Sequence, residues 1–473
     1  MSRTSRREFL KAGLFGAGTI SLTLLAASRL RGASGKVPPM REALGPLRPV
    51  ADETTGLKLL DLPEGFRYKT FSWAGTELGD GFPVPGKADG MGVVAQHESR
   101  VTLVRNHELV GSSGAIGDPA SAYDVTGGGT TTLVFDTEAE AIVDSWISLG
   151  GTANNCAGGV TPWGTWLSCE EVPFSPRLRA LPIPARQAPW HIEGARREHG
   201  FVFEVPSVGV ARPEPLLAMG QFYHEAVAID PDSGIAYLTE DTAPAAGFYR
   251  FLPERPGDLA AGGQLQMMKV RQRPDMRNGL PLGQRFDVSW VDIPDPTAGF
   301  VDGERDGNGV VTQGLAAGGS AFTSLEGCAF DAGRVYFTSK YGGRVRAGYI
   351  YEYRPTEEQI QVVFDSPGHA YFSGPDNLVV SPRGGLVVCE DRVVAEKKAQ
   401  HVAALTAEGE FVAFCRTHPG LRGHHAGFDL SKTVLMSEWS GATFSKDGQW
   451  LFVNIYNPGV TLAITGPWRE GII

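Results

Sequence analysis

The sequence predicts an all-β protein, a six-bladed β-propeller with a metal site in its central channel. Short β-branched or aromatic runs recur along the chain and end at Gly, Pro, Asp or Asn, which is typical of strands joined by tight turns. Six segments repeat a strand, a turn, a second strand and a later outer strand, as in propeller blades. Acidic and other metal-binding residues stand beside these apolar runs, where a carboxylate is costly unless it is paired or bound to metal.

The bulk composition is that of an ordinary globular chain. The 473 residues are 42% hydrophobic and 20% charged, which suits one large domain or two medium ones. The 61 glycines and 32 prolines fit many strands with tight turns. The formal charge of −10 argues against a nucleic-acid partner, which requires a basic face.

The first 33 residues are predicted to be an export signal. The run Ser5-Arg6-Arg7-Glu8-Phe9-Leu10-Lys11 fits the twin-arginine pattern. The apolar run of 16 residues after it, 12–27, is short for a membrane span. We therefore expect a twin-arginine signal peptide over residues 1–33, cleaved between Ala27 and Ser34; an uncleaved membrane anchor is the alternative.

Export has three consequences for the mature chain. Residues 1–33 carry six basic residues and one acidic residue, so their removal takes the net charge to about −15. The twin-arginine translocase becomes a partner, and the expected location is periplasmic or secreted. Residues 34–473 are predicted to form a single β-propeller domain, which we expect to be a monomer.

The six predicted blades follow one another along the chain. Their strand-like runs are 90–95, 101–108 and 131–135; 155–159, 166–171 and 200–205; 224–230, 235–241 and 247–251; 326–330, 335–340 and 348–353; 376–380, 386–391 and 401–405; and 440–444 and 450–454. The runs 66–71 and 460–464 are predicted to share one blade and close the ring, which removes sheet edges. A multi-blade sandwich is the alternative architecture, and the repeat argues against it.

A propeller would bring the polar ends of these runs to one axis, because the first strand of each blade lines the channel. The candidate ligands from first strands are Cys156, Glu225, Glu326 and Asp376, and those from the ends of second strands are Glu108, Glu171, Glu240, Asp241, Glu390 and Asp391. Side chains alternate along a strand, so at most one member of each adjacent acidic pair faces the axis. So many carboxylates cannot ionise together without cations, and oxygen ligands with one sulfur suit Ca²⁺ or Fe³⁺.

The cysteines give a weaker signal than the acids. Their number, five, is odd, and their spacing does not resemble a disulfide framework. Cys156 lies among small and polar residues, in Asn154-Asn155-Cys156-Ala157-Gly158-Gly159, and is either a thiolate ligand or a buried thiol. The sequence leaves both readings open.

At these residues the chain resembles the PhoX-type alkaline phosphatases, a family of exported bacterial phosphatases. The matching stretches are 105–108, 155–159, 161–166, 169–171, 224–226, 239–242, 374–378 and 444–459. The resemblance implies a six-bladed propeller with two Fe³⁺ and three Ca²⁺ ions that hydrolyses phosphomonoesters. It places the family's cysteine ligand on Cys156 and its carboxylate ligands on a subset of Glu171, Glu225, Glu240, Asp241, Glu326, Asp376, Glu390 and Asp391.

One position departs from the family pattern. The phosphatases typically carry Arg-Pro-Glu where this chain has Ser324-Leu325-Glu326, so the arginine that would clamp a phosphate is a serine. Lys340 and Arg346 are candidate substitutes, although a lysine gives no bidentate clamp.

We therefore predict a metal-dependent hydrolase of small-molecule phosphoesters, most simply phosphomonoesters. Lys340 is predicted to stabilise transition-state charge, and His224 to transfer a proton. Two alternatives stay open: a non-catalytic Ca²⁺-stabilised propeller that binds a ligand or partner, and a different hydrolase such as a lactonase.

Overall fold

The fold comes from a computed structural model that describes residues 37, 39–111, 114–182, 192, 194–391, 399–435 and 437–473. The predicted signal peptide, residues 1–33, lies outside the described residues. No helix within these described ranges has the length and apolar character needed to cross a membrane. Nearly all regular structure in the described residues is β-sheet, which confirms the all-β part of the predicted fold class.

Among the described residues, fifteen strands lie between residues 48 and 292. They are β1 (Arg48–Val50), β2 (Leu60–Leu62), β3 (Arg67–Phe71), β4 (Ala88–His97), β5 (Arg100–His107), β6 (Thr126–Asp136), β7 (Ala141–Gly151), β8 (Asn155–Val160), β9 (Trp166–Glu170), β10 (Val202–Val205), β11 (His224–Ile229), β12 (Ala236–Glu240), β13 (Phe248–Pro253), β14 (Gly263–Val270) and β15 (Phe286–Asp292).

The second half adds two short helices, α1 (Gly309–Ala316) and α2 (Leu430–Thr433), among the described residues. Its strands are β16 (Leu325–Asp331), β17 (Arg334–Ser339), β18 (Tyr349–Arg354), β19 (Gln359–Asp365), β20 (Pro375–Val380), β21 (Leu386–Glu390), β22 (His401–Leu405), β23 (Phe411–Thr417), β24 (His424–His425), β25 (Phe428–Asp429), β26 (Trp439–Phe444), β27 (Leu451–Ile455) and β28 (Val460–Thr465).

These strands form repeated antiparallel units of three or four strands. The units are β4–β7, β8–β10, β11–β14, β16–β19, β20–β23, and β26–β28 with β3. Strand β15 pairs with both β14 and β19, so the third and fourth units join into one nine-stranded sheet. Strands β1 and β2 extend the outer edge of the fifth unit. The arrangement is propeller-like.

The first strand of each unit, called here the inner strand, faces the middle of the molecule. Each inner strand (β4, β8, β11, β16, β20 and β26) packs against the next, and β26 packs against β4. The last unit combines both parts of the chain, because β28 pairs with β3 from Thr461↔Phe71 to Thr465↔Arg67. The predicted sharing of one sheet by runs 66–71 and 460–464 is therefore confirmed.

Aromatic side chains fill the space between neighbouring units. The rings of Phe248 and Phe337 stack with centroids 4.0 Å apart between the third and fourth units. Phe364 and Phe411 stack at 4.1 Å between the fourth and fifth. Such buried rings supply much of the packing energy of a core, so the units hold the inner strands in fixed relative positions.

Candidate metal centre

Every inner strand shifts its pairing register at the same place, near its first residue. The shifts fall at Ala88/Met91, Asn155/Gly158, His224/Val227, Leu325/Cys328, Pro375/Leu378 and Ser440/Thr443. A bulge in a strand re-aims the side chains within it. One residue of each inner strand directly follows the last residue that is paired before the shift. In unit order, these residues are Asp89, Cys156, Glu225, Glu326, Asp376 and Gly441. Five of the six equivalent positions therefore carry a metal-ligating residue type.

The ends of the second strands repeat in the same way. The residue after the last pair is Glu108, Glu171, Asp241, Lys340 or Asp391 in the first five units. In each case its N–H donates to the carbonyl two residues before the first-strand ligand position, at 2.8 to 3.1 Å. These five positions are structurally equivalent; four of them carry a carboxylate, and the fourth unit carries a lysine.

The two repeated positions bring their side chains to one place, which we call the cluster. The cluster consists of Asp89, Glu108, Cys156, Glu171, Glu225, Asp241, Glu326, Asp376, Asp391 and Glu438. Burial, and then neighbouring acids of this set, raise the pKa values of Asp89, Cys156, Glu171, Glu225, Glu326 and Glu438. The predicted gathering of distant acids therefore exists in the structure.

Within the cluster, three sets of ligand atoms lie close enough to share an ion. In each set the ligand atoms are within 4.8 Å of one another: Cys156, Glu171 and Glu225, the cysteine group; Glu225, Glu326 and Asp376, the central group; and Asp376, Asp391 and Glu438, the outer group. Glu225 and Asp376 each belong to two groups. The three groups therefore form a continuous row rather than separate sites.

Cys156 lies at one end of this row. Its Sγ is 3.2 Å from Glu225 Oε1 and 3.4 Å from Asp89 Oδ2. Burial, together with the neighbouring carboxylates, raises the pKa of the Cys156 thiol well above its ordinary value. A divalent or trivalent cation reverses this effect, because a coordinated thiol is deprotonated. The geometry thus favours the ligand reading of Cys156 over that of a buried core thiol.

Without a cation, burial and mutual repulsion disfavour the ionised form of these carboxylates. Burial, and then the neighbouring acids, raise the pKa of Glu225 and of Glu326 well above the ordinary range. Burial raises the pKa of Asp376 to about 6. Glu225 Oε2 and Glu326 Oε1 are buried and accept no hydrogen bond. Orphaned acceptors of this kind, in a set of hard oxygens with one sulfur, fit a group of metal ions.

Lys340 is a cation inside the cluster. Its Nζ makes an ion pair with Asp391 Oδ2 and lies 3.5 Å from Asp376 Oδ2 and 3.6 Å from Glu326 Oε1. Burial alone would lower the pKa of Lys340, but Asp391 and the other acids outweigh it and raise that pKa well above its ordinary value. The lysine is therefore charged at neutral pH. Arg346, the other predicted substitute for the arginine, has an exposed side chain.

Side chains on the second strands hold the backbone of the ligand positions. Thr239 Oγ1 donates to Glu326 O at 2.6 Å, and Thr338 Oγ1 donates to Asp376 O at 2.8 Å. Asn106 Nδ2 donates to Cys156 O at 3.1 Å, and Asn454 Nδ2 to Asp89 O at 2.5 Å. In each case the donor belongs to one unit and the acceptor to the next. The ligand positions are thus fixed by contacts between units.

Three predicted site residues do not reach the cluster. Glu240 accepts from Gly247 N and Tyr249 Oη, both at 2.7 Å. Glu390 accepts from Ser373 N and His401 N. Both acids stand one residue before the equivalent cluster position, so alternation turns them to the other side of the strand. We correct their prediction as metal ligands; Asp241 and Asp391 occupy the cluster instead, as Glu171 does beside Glu170.

His224 is the third correction. Its ring stacks on Phe222 with centroids 3.6 Å apart, and its Nε2 contacts Gly220 O at 2.9 Å. Burial lowers the pKa of this imidazole to about 3, so it is neutral. It precedes Glu225 on the same strand and points away from the cluster. The predicted role of His224 in proton transfer therefore has no support in the geometry.

The structure also brings in two acids that the sequence reasoning missed, Asp89 and Glu438. Asp89 begins the weakest repeat, and its position before Gly90-Met91-Gly92 matches that of Cys156 before Ala157-Gly158-Gly159. That alignment of the glycine-rich runs was the signal that could have found it. Glu438 precedes β26 and lies outside the repeated positions, so its place depends on the loop that carries it.

A cavity of about 200 Å³ lies along the inner strands beyond the cluster. Its lining includes the residue that follows each first-strand position, which is small in nearly every unit: Gly90, Ala157, Ala226, Gly327, Asn377 and, in the sixth unit, Ala442. Close approach of the strands needs these small residues. A Cβ on Gly159, for example, would stand 1.8 Å from Val227 O.

Comparison with known proteins agrees with this geometry. The family model for alkaline phosphatase PhoX matches residues 44–134 and 119–459. The structure of Pseudomonas fluorescens PhoX in complex with vanadate, a transition state analogue, aligns with a TM-score of 0.62 and 17% identity over 90% of this chain and 98% of that one. A gluconolactonase from Xanthomonas campestris aligns with a TM-score of 0.39 and 12% identity over 91% of this chain and 97% of that one.

The search of curated proteins gives no match. The match to the family model nevertheless spans most of the chain and includes every residue of the cluster, from Asp89 to Glu438. The chain therefore belongs to the alkaline phosphatase PhoX family.

Proposed function

We propose that this chain is a metal-dependent phosphomonoesterase whose iron and calcium ions bind in the central channel of a six-bladed β-propeller. The observation that carries this proposal is the row of three ligand groups with orphaned carboxylate oxygens, in a member of the PhoX family. The six equivalent register shifts on a closed ring of inner strands support the number of blades.

The cluster assigns the ions by the chemistry of their ligands. The cysteine group, which offers a sulfur and two carboxylates, would hold a transition metal such as Fe³⁺. The central group offers oxygen alone, which suits Ca²⁺. When bound, such ions supply positive charge for phosphoryl oxygens and an activated nucleophile.

The substrate would approach from the end of the row that carries Lys340. The side chains of Lys340 and Asp391 keep 16% and 22% exposure, whereas Glu225 is fully buried. A phosphomonoester at this end would place its negative oxygens next to the Lys340 ammonium. Lys340 thus stabilises charge that develops in the transition state, as a fixed cation in a partly buried site does.

Purified protein, refolded or expressed with iron and calcium, tests the proposal by hydrolysis of p-nitrophenyl phosphate and by elemental analysis. We expect turnover that requires Ca²⁺, and iron plus calcium in the protein. Glu225→Gln should lose turnover, because it removes a ligand shared by two groups. Glu204→Gln is the matched control: the carboxylate of Glu204, on β10, accepts hydrogen bonds from Trp163 and Thr165 in the turn between β8 and β9.

Two other outcomes would favour other functions. A full metal load without turnover of any phosphomonoester would overturn the proposal and favour a Ca²⁺-stabilised binding propeller. Turnover of lactones but not of phosphomonoesters would favour a lactonase on the same cluster.

Export by the twin-arginine translocase to the periplasm or medium is part of the proposal. The pattern Ser5-Arg6-Arg7-Glu8-Phe9-Leu10-Lys11 supports it. Replacing Arg6 and Arg7 by Lys should keep the protein in the cytoplasm, as cell fractionation would measure. Continued export of that variant would contradict this route.

A further inference from the structure

Lys340 occupies a position that is acidic in the other four of the first five units. It follows β17 as Glu108 follows β5 and Asp391 follows β21, and its N–H donates to Ser324 O at 2.9 Å in the same way. The other equivalent positions carry Glu171 and Asp241. The repeat would thus place a fifth carboxylate here, and the chain places an ammonium instead.

The ammonium lies where an ion would lie. Its contacts are Asp391 and Asp376 of the outer group and Glu326 of the central group. A Ca²⁺ ion in the outer group would need the same carboxylate oxygens at 2.3–2.6 Å. The ion and the ammonium would then be close neighbours of like charge, so the presence of one would disfavour the presence of the other.

The rest of the row keeps its need for metal. Among the described residues, Lys340 forms ion pairs with members of the central and outer groups and none with the cysteine group, and Glu225 Oε2 accepts no hydrogen bond. The direct ion pairs of the lysine therefore lie towards one end of the row, and only its longer-range attraction reaches Glu171. This asymmetry points to a difference in ion occupancy along the cluster.

We propose that Lys340 replaces one metal ion: its ammonium neutralises the outer group, and ions bind the cysteine and central groups only. This inference rests on the proposed metal binding of the cluster. It predicts the number of bound ions, and it does not depend on which substrate is hydrolysed.

Counting the bound ions tests the replacement. We would saturate wild-type protein and the variants Lys340→Arg, Lys340→Met and Lys340→Glu with Ca²⁺, remove the excess ion, and measure the number of calcium ions per chain by elemental analysis. Lys446→Met is the control, because Lys446 is an exposed turn residue outside the cluster. We expect Lys340→Arg and Lys446→Met to bind as many ions as wild type. Lys340→Met and Lys340→Glu should each bind one more Ca²⁺.

Thermal unfolding gives a second readout that does not use activity. Added Ca²⁺ should raise the melting temperature of Lys340→Glu more than that of wild type, because only the variant has the additional ion site. Lys340→Glu also covers the case in which Lys340→Met fails to fold.

The outcomes separate this inference from the proposed function. Unchanged or lower ion counts in both Lys340→Met and Lys340→Glu, with metal in the wild type, would overturn the replacement alone. A wild-type protein that binds no metal would overturn both. An extra ion in the variants of a protein without phosphatase activity would support the replacement and overturn the phosphomonoesterase.

Discussion

Cys156 Sγ lies 3.2 Å from Glu225 Oε1, although the two residues belong to neighbouring units and are 69 positions apart in the chain. Both stand at the register shift of an inner strand, so the same local distortion aims both side chains at the axis. The thiol and the carboxylate, together with Glu171, are close enough to bind one cation.

Cys156→Ser should lower the iron content of the protein at least tenfold while leaving the fold intact. A serine hydroxyl is a harder and weaker ligand than a thiolate for a transition metal. Elemental analysis and circular dichroism measure the two effects. Cys415→Ser is the control, because Cys415 is buried in β23 outside the cluster. Equal iron in wild type and Cys156→Ser would remove Cys156 from the ligand set.

Glu225→Gln should stabilise the metal-free protein and abolish its gain in stability from metal. Burial and the acids Glu326 and Glu171 raise the pKa of Glu225, which means that its ionised form is disfavoured in the metal-free fold. A neutral amide removes that repulsion, which we expect to add about 1–3 kcal/mol to the free energy of unfolding in chelator. Urea denaturation with and without Ca²⁺ measures both the metal-free stability and the gain from metal. A metal-free variant that is less stable than metal-free wild type would contradict the expectation.

Thr338→Val should weaken metal retention without touching a ligand. The Thr338 hydroxyl donates to Asp376 O at 2.8 Å and fixes the backbone of a residue shared by two groups. Loss of the bond leaves a buried carbonyl unpaired and should cost about 1–2 kcal/mol of unfolding free energy. Thr433→Val removes a similar bond, to Asp429 O, far from the cluster. Metal release to a chelator should accelerate in the first variant only.

The buried His199 should make stability fall in alkaline solution. Burial lowers the pKa of its imidazole, but Glu170 and Asp124, at 2.6 and 3.3 Å from the ring nitrogens, outweigh burial and raise it to about 9. A raised pKa means that the stabilising contribution is complete below the ordinary 6.5 and is lost as pH rises through about 9.

Denaturation at pH 7 and pH 10 measures this contribution, which is on the order of 3 kcal/mol. In His199→Gln the difference in unfolding free energy between pH 7 and pH 10 should be smaller by that amount. If wild type and variant show the same difference, the imidazole is not the titrating group.

Gly159→Ala should destabilise the protein by about 2–4 kcal/mol. The new Cβ would meet Val227 O at 1.8 Å, which is backbone of the adjacent inner strand and cannot move alone. Gly333→Ala calibrates the loss: Gly333 has a φ of +76° in open space, so an alanine there carries only the conformational cost of about 1 kcal/mol. A smaller loss at Gly159 than at Gly333 would contradict the close approach of the strands.

The repeat and its period allowed much of the fold to be predicted from the sequence. Apolar runs closed by turn residues placed the strands of the later units within a few residues, and the closing pair β3 and β28 was predicted because closure of the ring removes sheet edges. The pairing of β15 with β14 and β19 was not predicted, because residues 262–319 carry no copy of the repeat.

The direction of each side chain limited how much of the site could be predicted from the sequence. Alternation predicts that one of Glu240 and Asp241 faces the axis, but the choice depends on where the register shifts, and a shift leaves no mark in a strand's composition. Glu225 and His224 illustrate this, since adjacent residues on one strand have opposite surroundings. Glu438 depends on a loop that no periodicity describes.

The pairing of β3 with β28 also sets the order of events during synthesis. Arg105, buried beside this seam, donates to Ser72 near the start of the ring and to Thr461 near its end. A chain that lacks β28 leaves β3 without its partner strand and Arg105 without the Thr461 acceptor. The two ends of the described ring therefore join only when residues 461–465 pair with residues 67–71.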